Sequence, residues 1–402
     1  MGTASWDFAK SVAGLHLVDV RDLVDKRGNV EAMIKAKITE ALQALEQGRQ
    51  VVICCDYGIS RSNSIAAGVL ALYEKIPMDA AVQRVLAATG EEGIKLEVLD
   101  AVRGAVEGTG SAASSGGVLI TGGSGFIGSS LVQRLREEGE TVLAPSRQEI
   151  DLTKDVILLD LLVKKHGIQK IIHLATPRIY TTNEALGNAL VMLKNVLDVA
   201  AQNQAKLYYL SGWEIYSGYR AQSLLADERL PARPGSTYGQ AKYLSEVLIR
   251  QFVEQRGLES LIIRSGPVYG TRSQRPKFIW NFLAKARKNE DIVTHRYWNG
   301  LPALDLLYID DLLAALWKAV RLDICGELNI GTGVGVTTAE VARLLVEKTG
   351  SRSRISQVAI DDYVGNIVMD YRRARALLGW EPQVTISQGL EQYLQSSEET
   401  IE

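Results

Sequence analysis

Residues 118–128 read Val-Leu-Ile-Thr-Gly-Gly-Ser-Gly-Phe-Ile-Gly. An apolar run ends at Gly122, further glycines follow at positions 125 and 128, and an amphipathic stretch comes next. No other feature constrains the fold of this 402-residue chain as strongly. Gly122 permits a tight turn out of a strand, Gly125 lets backbone approach a pyrophosphate, and Gly128 lets a helix close on the strand. A helix that starts there aims its unpaired N–H groups at one point, which is how backbone binds an anion. Phe126 and Ile127 would supply two of those groups.

Strand and helix patterns then alternate. Apolar runs at 118–120, 141–144, 170–173, 207–210 and 261–264 predict strands, and amphipathic stretches at 129–138, 185–202 and 238–254 predict helices. Such alternation predicts a Rossmann-type, doubly wound parallel sheet with a smaller C-terminal substrate-binding part. Before it, residues 105–117 (AVEGTGSAASSGG) are almost all small, the composition of a flexible linker. The expected division is an α/β domain at 1–104, a linker at 105–117 and the larger domain at 118–402.

The first segment predicts a strand at 15–20, a helix at 30–47 capped by Asn29, and a short buried strand at 51–54. A helix follows at 62–73, and another after Pro77, capped by Asp79. Between strand and helix lies Cys55-Asp-Tyr-Gly-Ile-Ser-Arg61-Ser62. A thiol in such a loop feels the field of the helix N-terminus and ionises more readily. Arg61 can hold two phosphate oxygens bidentately, Gly58 allows the turn, and the Ser62 hydroxyl can bond the thiolate.

This loop resembles the C-x5-R signature of the cysteine-based protein phosphatases, in the C-x2-G-x-S-R-S form of the dual-specificity branch. The resemblance implies attack by Cys55 on phosphorus and an aspartic general acid about 30 residues upstream. Asp19, Asp22 and Asp25 lie near that distance, and Asp22 fits best. The family has His before the nucleophile where this chain has Cys54, which either pairs with Cys55 as a reversible disulfide or packs in the core; packing is favoured. The family's strands before Leu15 look largely missing here, so weak catalysis stays open.

The larger domain resembles the extended short-chain dehydrogenase/reductases, the sugar epimerases, dehydratases and reductases. The residues that carry the likeness are TGGSGFIG, His173-Leu-Ala-Thr, Tyr238-x3-Lys242, Arg264-x3-Val-Tyr-Gly270, Tyr308-Ile-Asp310-Asp311, Leu328-Asn-Ile-Gly331 and Ala376-Leu-Leu-Gly-Trp380-Glu-Pro382. Residues four apart share a helix face, so an ammonium at Lys242 can favour the ionised Tyr238 phenol and also hold a nicotinamide ribose. Tyr238 would then exchange a proton with a substrate hydroxyl while hydride moves. Ser146 and Arg147 suit a 2′-phosphate better than a 2′-hydroxyl, so NADP leads and NAD stays open; Asp151 resembles the adenine-contacting segment.

Two positions depart from that pattern. The hydroxyl expected after the strand at 207–210 falls on Gly212 or Trp213, leaving Ser211 as substitute and Glu214 as a possible base. The Arg that grips a diphosphate in nucleotide-sugar enzymes is replaced by Leu304.

Composition excludes other classes. With 45 Lys+Arg against 47 Asp+Glu there is no general electrostatic case for nucleic acid or an acidic membrane surface. Three cysteines and four histidines make a disulfide framework or a metal site improbable. The expected protein is a cytoplasmic homodimer and a bifunctional enzyme. It would join an NAD(P)-dependent epimerase, dehydratase or reductase, working on a sugar or sugar phosphate, to a phosphomonoesterase. The alternative is an NADP-sensing or phosphate-binding regulatory protein with degenerate sites.

Overall fold

The computed structural model describes residues 1–25, 28–91, 94–107, 116–177, 181–271, 273 and 278–398. It divides into two compact units, one of residues 1–116 with 150–168 and 198–203, the other of 117–149, 169–197 and 204–402.

In the first unit a three-stranded parallel sheet runs in the order β1 (Gly2–Ser5), β3 (Val51–Cys55), β2 (His16–Asp19). Helices α1 (Trp6–Ser11), α2 (Glu31–Glu46), α3 (Arg61–Glu74), α4 (Met78–Thr89) and α5 (Leu96–Glu107) accompany it. Its interior is aliphatic: Val18, Ile34, Ile53, Ile65, Val69 and Leu99 are wholly buried, and each such side chain contributes about 1.5–3 kcal/mol.

Four expectations change here. A strand does precede Leu15: β1 reads Gly-Thr-Ala-Ser and is a strand because it pairs with β3, from Gly2 opposite Val52 to Ser5 opposite Cys55. Asn29 does not cap α2; its amide closes the preceding loop, accepting from Val24 N and donating to Val24 O, both at 2.8 Å. Asp79 lies in the first turn of α4, where Pro77 is the cap, and pairs with Arg103 at 3.0 Å. Of the expected linker, 105–107 are the last turn of α5, 117 opens the next strand, and 108–115 lie outside the described residues.

The second unit is built on a six-stranded sheet with strands β4 (Gly117–Thr121), β5 (Val142–Leu143), β6 (Ile168–His173), β7 (Lys206–Gly212), β8 (Ser260–Ser265) and β9 (Gly326–Ile330), in the order β9-β8-β7-β6-β4-β5. The pairs β4–β5, β6–β7, β7–β8 and β8–β9 are parallel. Every residue of β7 and β8 is buried, as strands covered on both faces must be. In chain order helices α6 (Phe126–Glu137), α7 (Val156–Lys165), α8 (Asn183–Gln202) and α9 (Thr237–Arg256) fall between successive strands from β4 to β8. The chain turns one way from β4 to β5 and the other way from β6 onward. The crevice beyond the strand ends between β4 and β6 is therefore the place where such sheets take ligands.

Two motif segments serve this architecture. Asp305 is wholly buried and accepts from Thr332 N and Oγ1 (2.6 Å each), Gly333 N (3.2 Å) and Met369 N (2.9 Å), fastening three strand ends together. Asp311 accepts from Gln383 N and Val384 N at 3.0 Å, and its carbonyl from Trp380 Nε1 at 3.0 Å. The Trp380-Glu-Pro382 stretch is thus docked on the start of the helix Ile309–Leu322.

Candidate functional sites in the two units

In the second unit β4 runs into Gly122 (φ +73°), and helix α6 (Phe126–Glu137) begins after Gly125. Space, as well as conformation, demands these glycines. A β-carbon on Gly122 would stand 2.7 Å from Ala175 N, and one on Gly128 would stand 2.1 Å from the Gly122 carbonyl oxygen. The first-turn N–H groups of α6, at Phe126, Ile127 and Gly128, meet no capping side chain. This bare backbone cradle at a helix N-terminus fits a dinucleotide pyrophosphate.

After β5, Ser146 N donates to Glu149 Oε2 at 2.7 Å and Glu149 N to Ser146 Oγ at 3.4 Å. The backbone N–H of Ser146 holds the Glu149 carboxyl below the usual range. The turn that carries Ser146 and Arg147 therefore also carries an acid, Glu149. Asp151 is turned onto its own turn: its Oδ1 accepts from Thr153 N (3.0 Å) and Thr153 Oγ1 (2.7 Å).

Helix α9 (Thr237–Arg256) carries Tyr238 and Lys242. Its start is fixed by Ser236, whose hydroxyl accepts from Gly239 N at 3.1 Å. Lys242 is buried, with Nζ donating to Leu210 O at 2.6 Å and lying 5.6 Å from the Tyr238 ring centroid and 4.8 Å from that of Tyr209. Burial pushes its ammonium down to about 8, against the raising pull of Glu214 and Glu246. Tyr209 stacks on His173 at 6.0 Å, and His173 Nδ1 shares a proton with Thr121 Oγ1 at 2.8 Å. Burial, with Lys242 nearby, drives His173 down to about 3, so it is neutral at ordinary pH. His173, Thr176, Tyr209, Tyr238, Lys242 and Ser245 line one cleft. A packed column thus links the glycine-rich turn, through Thr121, His173 and Tyr209, to the Tyr–Lys pair.

Ser211 does not line that cleft. It is buried, and its hydroxyl donates to Glu246 Oε1 at 2.6 Å. At Gly212, where a hydroxyl residue was sought, φ is −163°, which any residue adopts. Glycine there leaves room for the Glu214 carboxylate: a β-carbon would stand 2.5 Å from Glu214 Oε2 and would push that side chain aside. The carboxylate of Glu214 occupies the volume beside the strand end and acts electrostatically on Lys242. Spacing alone does not show this exchange of a hydroxyl for a carboxylate.

In the first unit β3 ends at Cys55, and the loop to α3 folds around its sulfur. Gly58 N donates to Cys55 Sγ at 3.1 Å, and Ser62 Oγ lies 3.5 Å from it. Burial alone would raise the thiol; hydrogen bonds from Ser62 and from backbone at Tyr57 and Gly58 hold it below the ordinary cysteine value. Gly58 has φ +77°, and its Cα faces β1 so closely that a β-carbon would stand 2.5 Å from Ala4 C. The strand missed in the sequence thus seats the loop. Arg61 Nη1 donates to Arg21 O (3.1 Å) and Leu23 O (3.0 Å), and Nη2 to Asp56 Oδ2.

Of the three aspartates, Asp22 pairs with Lys37 on α2 at 2.9 Å and Asp19 with Arg21 at 2.8 Å. Asp25 pairs with Lys95, whose backbone N donates to Ser60 Oγ in the loop at 3.1 Å. Cys54 and Cys55 are successive strand residues and point to opposite faces. Cys54 Sγ donates to Val18 O at 3.5 Å, and burial pushes its thiol up to about 11. Packing in the core is its role, and no disulfide joins the pair.

No described helix is long and apolar enough to cross a membrane, and among the described residues no group of three or more His, Cys, Asp or Glu is placed to hold a metal.

Comparison with known proteins places the second unit. The zebrafish (Danio rerio) UDP-glucuronic acid decarboxylase 1 is 25% identical over 304 residues, covering 69% of this chain and 72% of its own. A putative UDP-glucose 4-epimerase of Methanocaldococcus jannaschii is 27% identical over 303 residues, covering 68% and 95%. Among solved structures, the Thermus thermophilus UDP-glucose 4-epimerase in complex with NAD superposes with a TM-score of 0.62 at 23% identity, over 69% of this chain and 98% of that one. RMD from Pseudomonas aeruginosa complexed with NADPH gives 0.63 at 20%, over 71% and 100%. These two likenesses establish the fold. A sequence profile of the NAD dependent epimerase/dehydratase family matches residues 118–331, more than half of the chain, and the chain belongs to that family.

Proposed function

We propose that residues 118–402 catalyse NAD(P)-dependent redox chemistry at a hydroxyl of a sugar substrate, and that residues 1–104 carry a cysteine-dependent phosphomonoesterase. The observation that carries the first part is the juxtaposition of Tyr238, Lys242 and Glu214 in the unit that holds the glycine cradle. A nicotinamide dinucleotide, when bound, supplies hydride acceptance and return. Gly122, Gly125 and the first turn of α6 would hold its pyrophosphate, Ser146 and Arg147 its adenosine ribose, and Lys242 its nicotinamide ribose. Tyr238 would take the proton of the substrate hydroxyl as that carbon is oxidised, its phenolate favoured by the neighbouring ammonium. Glu214 would serve as a base for a proton next to the new carbonyl. That reading favours an epimerase or dehydratase over a plain reductase, because a carboxylate there accepts a proton that a hydroxyl cannot. NADP remains the preferred cofactor on Arg147, and the acid at Glu149 supports NAD.

Leu304 removes the arginine that would grip a diphosphate, so a sugar or sugar phosphate is the proposed substrate. The homologous decarboxylases and epimerase, named for UDP-sugars, support the nucleotide sugar as the competing choice. A homodimer through α8 (Asn183–Gln202) and α9 is proposed on the exposed apolar side chains Val191, Leu244 and Val247.

In the first unit Cys55 would attack phosphorus while Ser62 and the loop N–H groups hold the phosphoryl oxygens, and Arg61 would join them on exchanging its Asp56 partner for the phosphate. Asp22, tied to Lys37, is proposed less readily as general acid than Asp25, which Lys95 links to the loop.

Mass spectrometry of the nucleotide released on denaturing the purified protein tests the redox reading. Near-stoichiometric NAD or NADP is expected for chemistry that recycles its cofactor within each turnover. Absence of retained nucleotide, together with no binding of added NAD or NADP, would overturn it. Hydrolysis of p-nitrophenyl phosphate by the wild type and not by Cys55→Ser tests the phosphatase. Loss of turnover with unchanged nucleotide affinity in Tyr238→Phe separates a catalyst from a nucleotide sensor.

A further inference from the structure

Tyr238, Lys242, Glu246 and Arg250 stand four residues apart along one stripe of α9. The first two belong to the site; the other two are unexplained by it. Glu246 is wholly buried. It accepts from Ser211 Oγ (2.6 Å), Arg264 Nε (3.0 Å), Arg264 Nη2 (2.7 Å) and Arg250 Nη2 (2.8 Å). Arg264 and Arg250 also converge on Glu327, at 2.5 and 2.7 Å. Four charges of alternating sign therefore close a ring whose sum is zero. Glu246 and Arg264 are its buried half, and removing either leaves the other's buried charge short of a partner.

The ring meets the site through one peptide. Leu210 O accepts from Lys242 Nζ, and the next residue, Ser211, donates to Glu246. Ser211 and Arg264 are also partners in register across β7 and β8, so both reach the same carboxylate from adjacent strands. Strand β7 is thereby clipped to α9 at two points one helical turn apart, with Lys242 on one and Glu246 on the other.

We propose that Glu246, clipped by Ser211 and Arg264, is a positioning residue that keeps the Lys242 ammonium charged and aimed at the Tyr238 side of the cleft. This rests on the reading of Lys242 as the ribose-holding lysine. The groups facing Lys242 are Glu214 from the segment after β7, Tyr209 from β7, neutral His173 from β6, and Tyr238 and Glu246 from α9, with Arg264 of β8 behind Glu246. Of the charged groups among these, only the two glutamates favour the ammonium, beside the Leu210 carbonyl and the Tyr209 and Tyr238 ring faces. A neutral residue at 246 would remove one of them and leave Glu327 alone to balance both Arg264 and Arg250.

The test is calorimetric titration of NAD and NADP into wild type, Glu246→Gln, Ser211→Ala and Lys242→Met from pH 6 to 9.5. Wild-type affinity should fall as pH passes about 8, where the ammonium is lost, and Lys242→Met should bind weakly and without that fall. Glu246→Gln should move the fall to lower pH by about one unit. Ser211→Ala, which keeps all four charges, should move it the same way by less, and decides the matter if Glu246→Gln does not fold. A purely structural role would weaken binding equally at every pH; a fall left at the wild-type pH in the folded variants overturns the proposal. Failure of the wild type to bind either nucleotide overturns the reading of Lys242 and this proposal together.

Discussion

Gly212→Ala isolates the exchange of a hydroxyl for a carboxylate beside the Tyr–Lys pair. The added β-carbon would begin 2.5 Å from Glu214 Oε2 and 3.8 Å from Ser265 O. Only the first contact is too short, and the carboxylate must retreat by about 0.5 Å or more to relieve it. The backbone at 212 is extended and adds no strain. The cost is that of driving a flexible side chain from its rotamer, about 0.5–1.5 kcal/mol. In a unit of this size that lowers the unfolding temperature by about 2–4 °C for each kcal/mol. A double-mutant cycle with Glu214→Ala, followed by urea unfolding through tryptophan fluorescence, gives the decisive number. With the carboxylate gone the alanine has nothing to displace, so the two substitutions should couple by about 1 kcal/mol. Equal cost for Gly212→Ala in both backgrounds would refute the claim that Glu214 fills that space.

Lys242→Met reports on the lysine without any ligand. The folded ammonium titrates at about 8 and an unperturbed one at 10.5, so unfolding takes up a proton between those values. Wild-type stability should rise with pH across that window, while the variant stays flat, and urea unfolding at pH 7 and pH 10 compares them. Gly58→Ala combines a φ of +77° with a backbone clash at Ala4 and should cost about 2 kcal/mol or more, seen as faster proteolysis of the first unit. Iodoacetamide should label Cys55 at a pH below that of an ordinary thiol and leave Cys54 unlabelled until far higher pH; peptide mapping across a pH series checks both.

The glycine-rich turn was legible because its constraints are local. Gly122 and Gly128 answer to backbone within six residues and to the strand next door, and their spacing carries that information. The strands of the second unit were legible for a similar reason: buried on both faces, they read as unbroken apolar runs. β1 was illegible because Gly-Thr-Ala-Ser has no such run, and only the pairing of Gly2–Ser5 with Val51–Cys55 makes it a strand. Ser211 was misplaced because its partner, Glu246, lies 35 residues away and only the register of β7 against β8 brings Ser211, Arg264 and that carboxylate together. A signal did exist: Tyr238, Lys242, Glu246 and Arg250 repeat at the helical spacing, and a stripe that places two charges behind a catalytic pair asks for buried counter-charges. Asp311 lies in a stretch that carries the family likeness, yet its carboxylate, like that of Asp305, is engaged by backbone donors and holds segments together.

The opposed orientation of Cys54 and Cys55 fixes how the first unit meets peroxide. The thiolate is the form of a cysteine that oxidises to a sulfenic acid, and the hydrogen bonds on the Cys55 sulfur favour it. Many reactive cysteines are rescued at that step by a neighbouring thiol that closes a disulfide, but Cys54 lies across the sheet, bonded to Val18 O, and cannot reach it. No other cysteine belongs to that unit. Reversible protection of Cys55 then falls to a soluble thiol such as glutathione or to closure of the sulfenic sulfur onto a backbone nitrogen, and where neither acts oxidation runs on to the sulfinic acid.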